Sequence, residues 1–197
     1  AEVFVRKSES AGRKTGWDLI SVRKADRLIN MDSQVTNKVV QEWIEAGRWF
    51  KDVKIVRPEV TYKNSRFDLY VEYEEKKAFI EVKGVTLEEE GVVKFPDAPS
   101  ERAVKHLKEL EEAVQDGYEA YVFFVVQMKG VRYFTPNRRT HKEFADVLAD
   151  AAETGVQVIA KDCFVTEDSI AIADEVPVVL TNPQLYEAPE LLVEWYR

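Results

Sequence analysis

Seven consecutive apolar residues, Ala120 to Val126 (AYVFFVV), leave no polar side chain to offer to water. The run is far too short to cross a bilayer, so it reads as a strand, Ala120–Gln127, buried inside a folded domain. A strongly amphipathic helix, Ser100 to Gln115, precedes it. Ala103, Leu107, Leu110 and Val114 make its core stripe, and Gly117 ends it. A second helix, Lys142 to Glu153, and a strand, Val156–Val165, follow. Upstream, Val39, Val40, Trp43 and Ile44 recur at helical spacing in a helix from Thr36 or Asn37 to Ala46, closed by Gly47. A strand over Val53–Tyr62 comes next, its Pro58 marking an edge or a bulge, and then a β-hairpin. This order predicts an α/β fold, a mixed β-sheet flanked by helices. Leu87–Pro99 and Thr135–Arg139 read as loops, and short strands at Ser169–Ile172 and Val176–Leu180 finish the chain. At the front, residues 2–7 and 17–23 read as two strands joined by the polar, basic segment SESAGRKTG.

The hairpin carries the chemistry. Its first arm, Arg66–Tyr73, holds Asp68; its second, Ala78–Gly84, holds Glu81 and Lys83. Residues two apart on a strand share a face, so Glu81 and Lys83 point together. A two- or four-residue loop centred on Glu74-Glu75-Lys76-Lys77 sets Asp68 opposite Lys83, one diagonal step from Glu81 on the same face. An odd loop would turn Asp68 away. Two close carboxylates repel unless a cation lies between them, and hard oxygen ligands with room for water suit Mg²⁺ or Mn²⁺. An adjacent ammonium can orient water or stabilise charge developing on a phosphate. The plain structural alternative is a cross-strand ion pair on a solvated face.

Net charge is −8 for 197 residues, which counts against tight non-specific nucleic-acid binding, yet the charge is uneven: residues 1–30 carry +3 and residues 158–197 carry −6. A local basic groove is compatible with that balance. The lone Cys163 cannot form an internal disulfide and suits a reducing cytoplasm. No membrane-spanning segment is expected, and a homodimer is compatible with the sequence.

The segments RKTGWDLISV, INMDSQVTNKVVQEW, NSRFDLYVE, FIEVKGVTL, GVVKFPDAPSERAVKHLKEL, YVFFVVQM and FTPNRRT together resemble the sugar fermentation stimulation protein A family, in the family's order over most of residues 13–145. Asp68, Glu81 and Lys83 also resemble the motif of the PD-(D/E)xK nuclease superfamily, with Phe67 in place of the name-giving proline. QVTN departs from the family's usual QLPN and keeps Asn37.

The resemblance implies a restriction-endonuclease-like core over residues 31–197 behind an N-terminal OB-type barrel, of which residues 1–30 match only the last strands. It also implies DNA as partner and a link to the regulation of sugar (maltose) metabolism. Carried onto this sequence, Asp68 and Glu81 are metal ligands, with Glu42 an additional ligand or an outer supporting residue, and Lys83 positions water. Arg66, Arg102, Lys105 and His106 are phosphate contacts, as are Arg13, Lys14 and Asn37. Two functions follow: a Mg²⁺- or Mn²⁺-dependent phosphodiesterase acting on DNA, or a non-catalytic DNA-binding regulator using the same cleft.

Overall fold

A computed structural model describes residues 2–7 and 16–181 of the chain. Three antiparallel strands come first, β1 (Glu2–Lys7), β2 (Trp17–Lys24) and β3 (Arg27–Asn30), one more than the sequence led us to expect. Helix α1 (Val35–Glu45) leads into β4 (Val53–Tyr62), β5 (Ser65–Tyr73) and β6 (Lys76–Val85). Then come β7 (Leu87–Glu89), β8 (Val92–Phe95), α2 (Glu101–Gln115), β9 (Glu119–Val126) and β10 (Tyr133–Pro136). Helix α3 (Lys142–Thr154), β11 (Gln157–Val165) and β12 (Ile170–Glu175) follow.

The main sheet has the order β12-β11-β9-β6-β5-β4, with β6, β9 and β11 parallel and the other neighbours antiparallel. The apolar run lies at its centre. Val122, Phe124 and Val126 pack with Leu107 and Leu110 of α2, while Tyr121, Phe123 and Val125 pack with Val39, Val40 and Ile44 of α1. Both faces are covered, which is why Ala120 to Val126 needs no charged residue. Ser100 caps α2, its hydroxyl accepting from the Ala103 N–H at 3.2 Å. Ser100→Ala should lower the unfolding free energy by about 1 kcal/mol, measured by denaturant titration.

Two expected loops contain strands. Leu87–Pro99 folds as the β7–β8 hairpin, turning at Glu90 and Gly91, both at positive φ. Thr135–Arg139 begins as the end of β10, which pairs in parallel with β8. These strands are only three or four residues long, and the charged Glu89-Glu90-Gly91 turn and the proline ending β10 read as loop.

Charge and directional hydrogen bonds tie the N-terminal sheet to the rest. The buried Glu88 of β7 accepts from Lys24 at 2.7 Å and pairs with Arg27 at 2.8 Å, and its Oε1 also accepts the Gly91 N–H at 2.6 Å. Arg27 donates further to the Gly130 carbonyl at 3.0 Å. The Lys24 ammonium, aided by the Gly91 N–H and Arg27, holds the Glu88 carboxyl down to about 2. A depressed carboxyl stabilises the fold above its unfolded value of 4.5, and that stability is lost as pH falls toward 2. With Lys24 half-exposed, we expect about 1–2 kcal/mol of acid-labile stability, which Glu88→Gln should remove from a pH series of thermal melts.

On the outer face of β1 and β2, Val3, Val5, Trp17 and Leu19 are exposed. Among the described residues, no helix is long and apolar enough to cross a membrane.

Candidate active site

The hairpin turns at Glu74-Glu75, with Glu74 in the left-handed region at φ 48°. The register is therefore two residues away from the one expected. Tyr73 faces Lys76 and Leu69 faces Ile80, so continuing it would bring Asp68 toward Glu81 rather than Lys83. The even loop length holds. The simple face argument does not. Phe67 packs on the α2 side and Leu69 on the α1 side, although residues two apart on a regular strand point the same way. At Asp68, β5 breaks its alternation and its ladder with β6 stops. The Asp68 carboxylate fills the opening. Its Oδ2 accepts the Val82 N–H at 2.8 Å, and its Oδ1 accepts from the Asn37 side chain of α1 at 2.8 Å.

Glu81 projects toward α2 and is 2 % exposed. Its Oε1 takes the Lys83 ammonium at 2.5 Å and a very short contact with His106 Nδ1. Its Oε2 is buried and has no hydrogen-bond partner among the described residues. Burial pushes the Asp68 carboxyl above its ordinary value, and the negative Glu81 adds to that. The Val82 N–H, Lys83 and Asn37 oppose the shift. Burial also pushes Glu81 up, but His106 and Lys83 outweigh it and leave its carboxyl below the usual value. The pocket thus holds two electrostatically coupled carboxylates. Among the described residues one oxygen is left orphaned, and each Asp68 oxygen accepts one of the bonds its lone pairs allow.

Lys83 is followed by Gly84. A β-carbon at residue 84 would meet Gln127 Oε1 at 2.4 Å and Thr36 Cγ2 at 3.1 Å. The absent side chain lets the first turn of α1 lie directly on β6, which brings Asn37 within reach of Asp68. Gln127 is fixed in turn by bonds from its amide nitrogen to the Asn30 carbonyl (3.1 Å), the Asn30 side chain (2.9 Å) and the Asp32 carbonyl (3.1 Å). Sequence reasoning gave Gln127 and Asn30 no role. The one hint was a polar residue ending an apolar strand.

Other expected site residues separate. Asn37 holds Asp68 through its side-chain amide. His106 is buried, 4 % exposed, between Glu81 and Arg102, whose Nε lies 3.5 Å from His106 Nε2. Lys105 is drawn to the Asn64 carbonyl at 2.9 Å, and Arg66 pairs with Glu59 at 3.5 Å on the exposed edge. Glu42 does not join the carboxylates. It is five residues beyond Asn37, well around the helix, with its side chain 63 % exposed and Lys38 at 3.8 Å. Arg13 and Lys14 lie outside the described residues.

Fold and site together define a mixed α/β protein with a paired-carboxylate and lysine pocket where two central strands part. Residues 34–169 match the family model described as "Sugar fermentation stimulation protein RE domain". The chain is 61% identical over 180 residues to a sugar fermentation stimulation protein homolog of Clostridium beijerinckii, covering 91% of this chain and 80% of that protein. It is 57% identical over 180 residues to a homolog from Desulfitobacterium hafniense, covering 91% and 78%. The structure of Pyrococcus furiosus SfsA in complex with Ca²⁺ is similar at a TM-score of 0.80 and 26% identity, covering 90% of this chain and 77% of that one. The chain belongs to the sugar fermentation stimulation protein family.

Proposed function

We propose that this pocket is a divalent-metal-dependent phosphodiesterase site acting on DNA, on a restriction-endonuclease-like core spanning residues 31–197. On this reading the N-terminal strands derive from an OB-type barrel. The observation that carries it is the orphaned, buried Glu81 Oε2 beside a second carboxylate whose protonation burial favours. A cation there would satisfy the oxygen and relieve the repulsion. Asp68 and Glu81 would be its protein ligands, and an all-oxygen set suits Mg²⁺ or Mn²⁺. The relative described with Ca²⁺, another hard oxygen-seeking ion, supports the choice.

Such an ion would supply positive charge against the scissile phosphate. The chain's own residues do the positioning. Asn37 and the Val82 N–H lock Asp68, and His106 holds Glu81 from behind. Lys83, 17 % exposed at the mouth, can orient a water or donate to a phosphate oxygen. Arg102, beside His106, and Arg66 and Lys105 would meet neighbouring phosphates once their exposed contacts exchange. Incubation with single- and double-stranded DNA and Mn²⁺ tests this reading. Cleavage is expected, and intact DNA across metals and substrates would sink it.

The second reading is a non-catalytic DNA-binding regulator of sugar metabolism. Lys83 and His106 already converge on Glu81 Oε1, leaving one oxygen free, and the relatives' name concerns sugar fermentation. Binding without cleavage under every metal condition would favour it.

A further inference from the structure

The segment Phe134–Thr140 (FTPNRRT) has no part in the carboxylate pocket, yet its residues from Thr135 to Thr140 form one wall of a separate cleft of about 380 Å³. Lys94, Arg138 and Arg139 line this cleft, with Glu89 as the acid among its lining residues. The turn that presents the two arginines is firmly built. Asn137 donates from its side chain to the Pro96 carbonyl at 3.0 Å, and its backbone carbonyl accepts from Thr140 (3.0 Å) and His141 (2.9 Å). Lys94 is held by Glu89 and Arg138 by Asp146, both through exposed pairs that water or a competing anion can exchange. Arg139 has no hydrogen-bond partner among the described residues, although its charge helps hold the Glu89 carboxyl below its usual value, after the larger effect of Lys94.

Two features connect this cleft with the rest of the molecule. It shares Glu89, Lys94 and Thr135 with a neighbouring cleft of about 850 Å³ that reaches the N-terminal sheet at Lys24, where Lys24, Lys94 and Arg132 are matched by Glu88, Glu89 and Glu90. It also lies close to the carboxylates along the chain. Leu87 pairs with Lys94 only four residues after Lys83, which bounds the Lys83–Lys94 separation at roughly 20 Å. That is no more than about six nucleotides at 3.4 Å each.

We propose that Lys94, Arg138 and Arg139 form a phosphate-binding subsite for a nucleic-acid strand, within about six nucleotides of the phosphate at the carboxylate pocket. The proposal rests on the nucleic-acid reading above and adds to it where the strand runs. Two adjacent guanidinium groups on a rigid turn can each fork onto phosphate oxygens, and Lys94 opposite supplies a point charge.

The test is binding of a 3′-labelled single strand, followed by fluorescence anisotropy in EDTA over a salt series. Arg138→Gln/Arg139→Gln should bind at least about tenfold more weakly at low salt, its log K against log salt slope reduced by about 1 to 1.5. Lys54→Gln, on the far edge strand, should bind as wild type does. Equal losses with and without a 5′-phosphate assign the subsite to backbone phosphates; a loss confined to phosphorylated strands assigns it to a terminal phosphate. Unchanged affinity and slope, or no binding by the wild-type protein, would overturn the proposal. If the double variant melts early, Lys94→Gln reads the opposite wall: a severalfold loss is expected, and no loss counts against the subsite. Because no metal is present, a failure of DNA cleavage leaves this result standing, and unaltered binding leaves the carboxylate chemistry standing.

Discussion

Replacing Asp68 and Glu81 together with alanine should take Mn²⁺-dependent DNA cleavage to background, a loss of at least about 10³-fold, or ~4 kcal/mol of transition-state stabilisation. The size of the effect follows from the lack of a third acid at this site among the described residues. Glu42 faces solvent beside Lys38, and no other acid is bonded to Asn37, Lys83 or His106 among the described residues. Asp68→Asn is the milder companion: it keeps the shape, removes the charge, and turns one accepting oxygen into a donating amide nitrogen that a flipped Asn37 amide can meet. Thermal melts should show a second signature. Saturating Mn²⁺ at a hundred times its Kd stabilises a protein by about 2.7 kcal/mol, and the double variant should lose that gain. Cleavage persisting within tenfold of wild type in a folded double variant would move the chemistry elsewhere.

Gly84→Ala should cost about 3 kcal/mol, read as a fall in Tm of roughly 9 °C. The new methyl group meets Gln127 Oε1 at 2.4 Å and the Thr36 methyl at 3.1 Å, so one of them must move. A free glutamine would swing aside at little cost. This one is held by three bonds to Asn30 and Asp32, and displacing it strands a buried amide. Thr36 is no softer, because moving it lifts α1 and draws Asn37 from Asp68. Cleavage should therefore weaken along with stability. A double-mutant cycle with Gln127→Ala should be non-additive by at least ~1 kcal/mol, whereas simple additivity would mean the two side chains do not meet.

Much of this architecture was legible in the sequence, because strong periodicity and unbroken apolarity mark elements that packing then keeps. The helices α1, α2 and α3 and the strands β4, β6, β9 and β11 lie within about two residues of where their patterns place them. Family membership was legible in long shared segments. The site was legible in composition and less so in geometry. Nothing in Glu74-Glu75-Lys76-Lys77 advertises a left-handed turn residue at Glu74, since glycine or asparagine is the usual signal. A period of two cannot show that Phe67 and Leu69 point to opposite faces, because that reversal depends on β5 leaving β6. Glu42 was attractive because it borders the apolar stripe of α1, but Asn37, five residues earlier, is the one that points at the carboxylates. His106 bordered a stripe in the same way and is buried against Glu81. Helical periodicity identifies a stripe's neighbours and leaves open which of them turns inward.

The junction at Glu88 and Gln127 has a last implication for how the molecule is assembled. Apolar surfaces slide over one another with little preference, whereas forked ion pairs and a thrice-bonded amide fit in a single alignment. Lys24, Arg27 and Asn30 act as keys for the front β-layer, indexing it against the main sheet. A ligand bound on that layer would therefore be presented at one fixed angle to the paired acids.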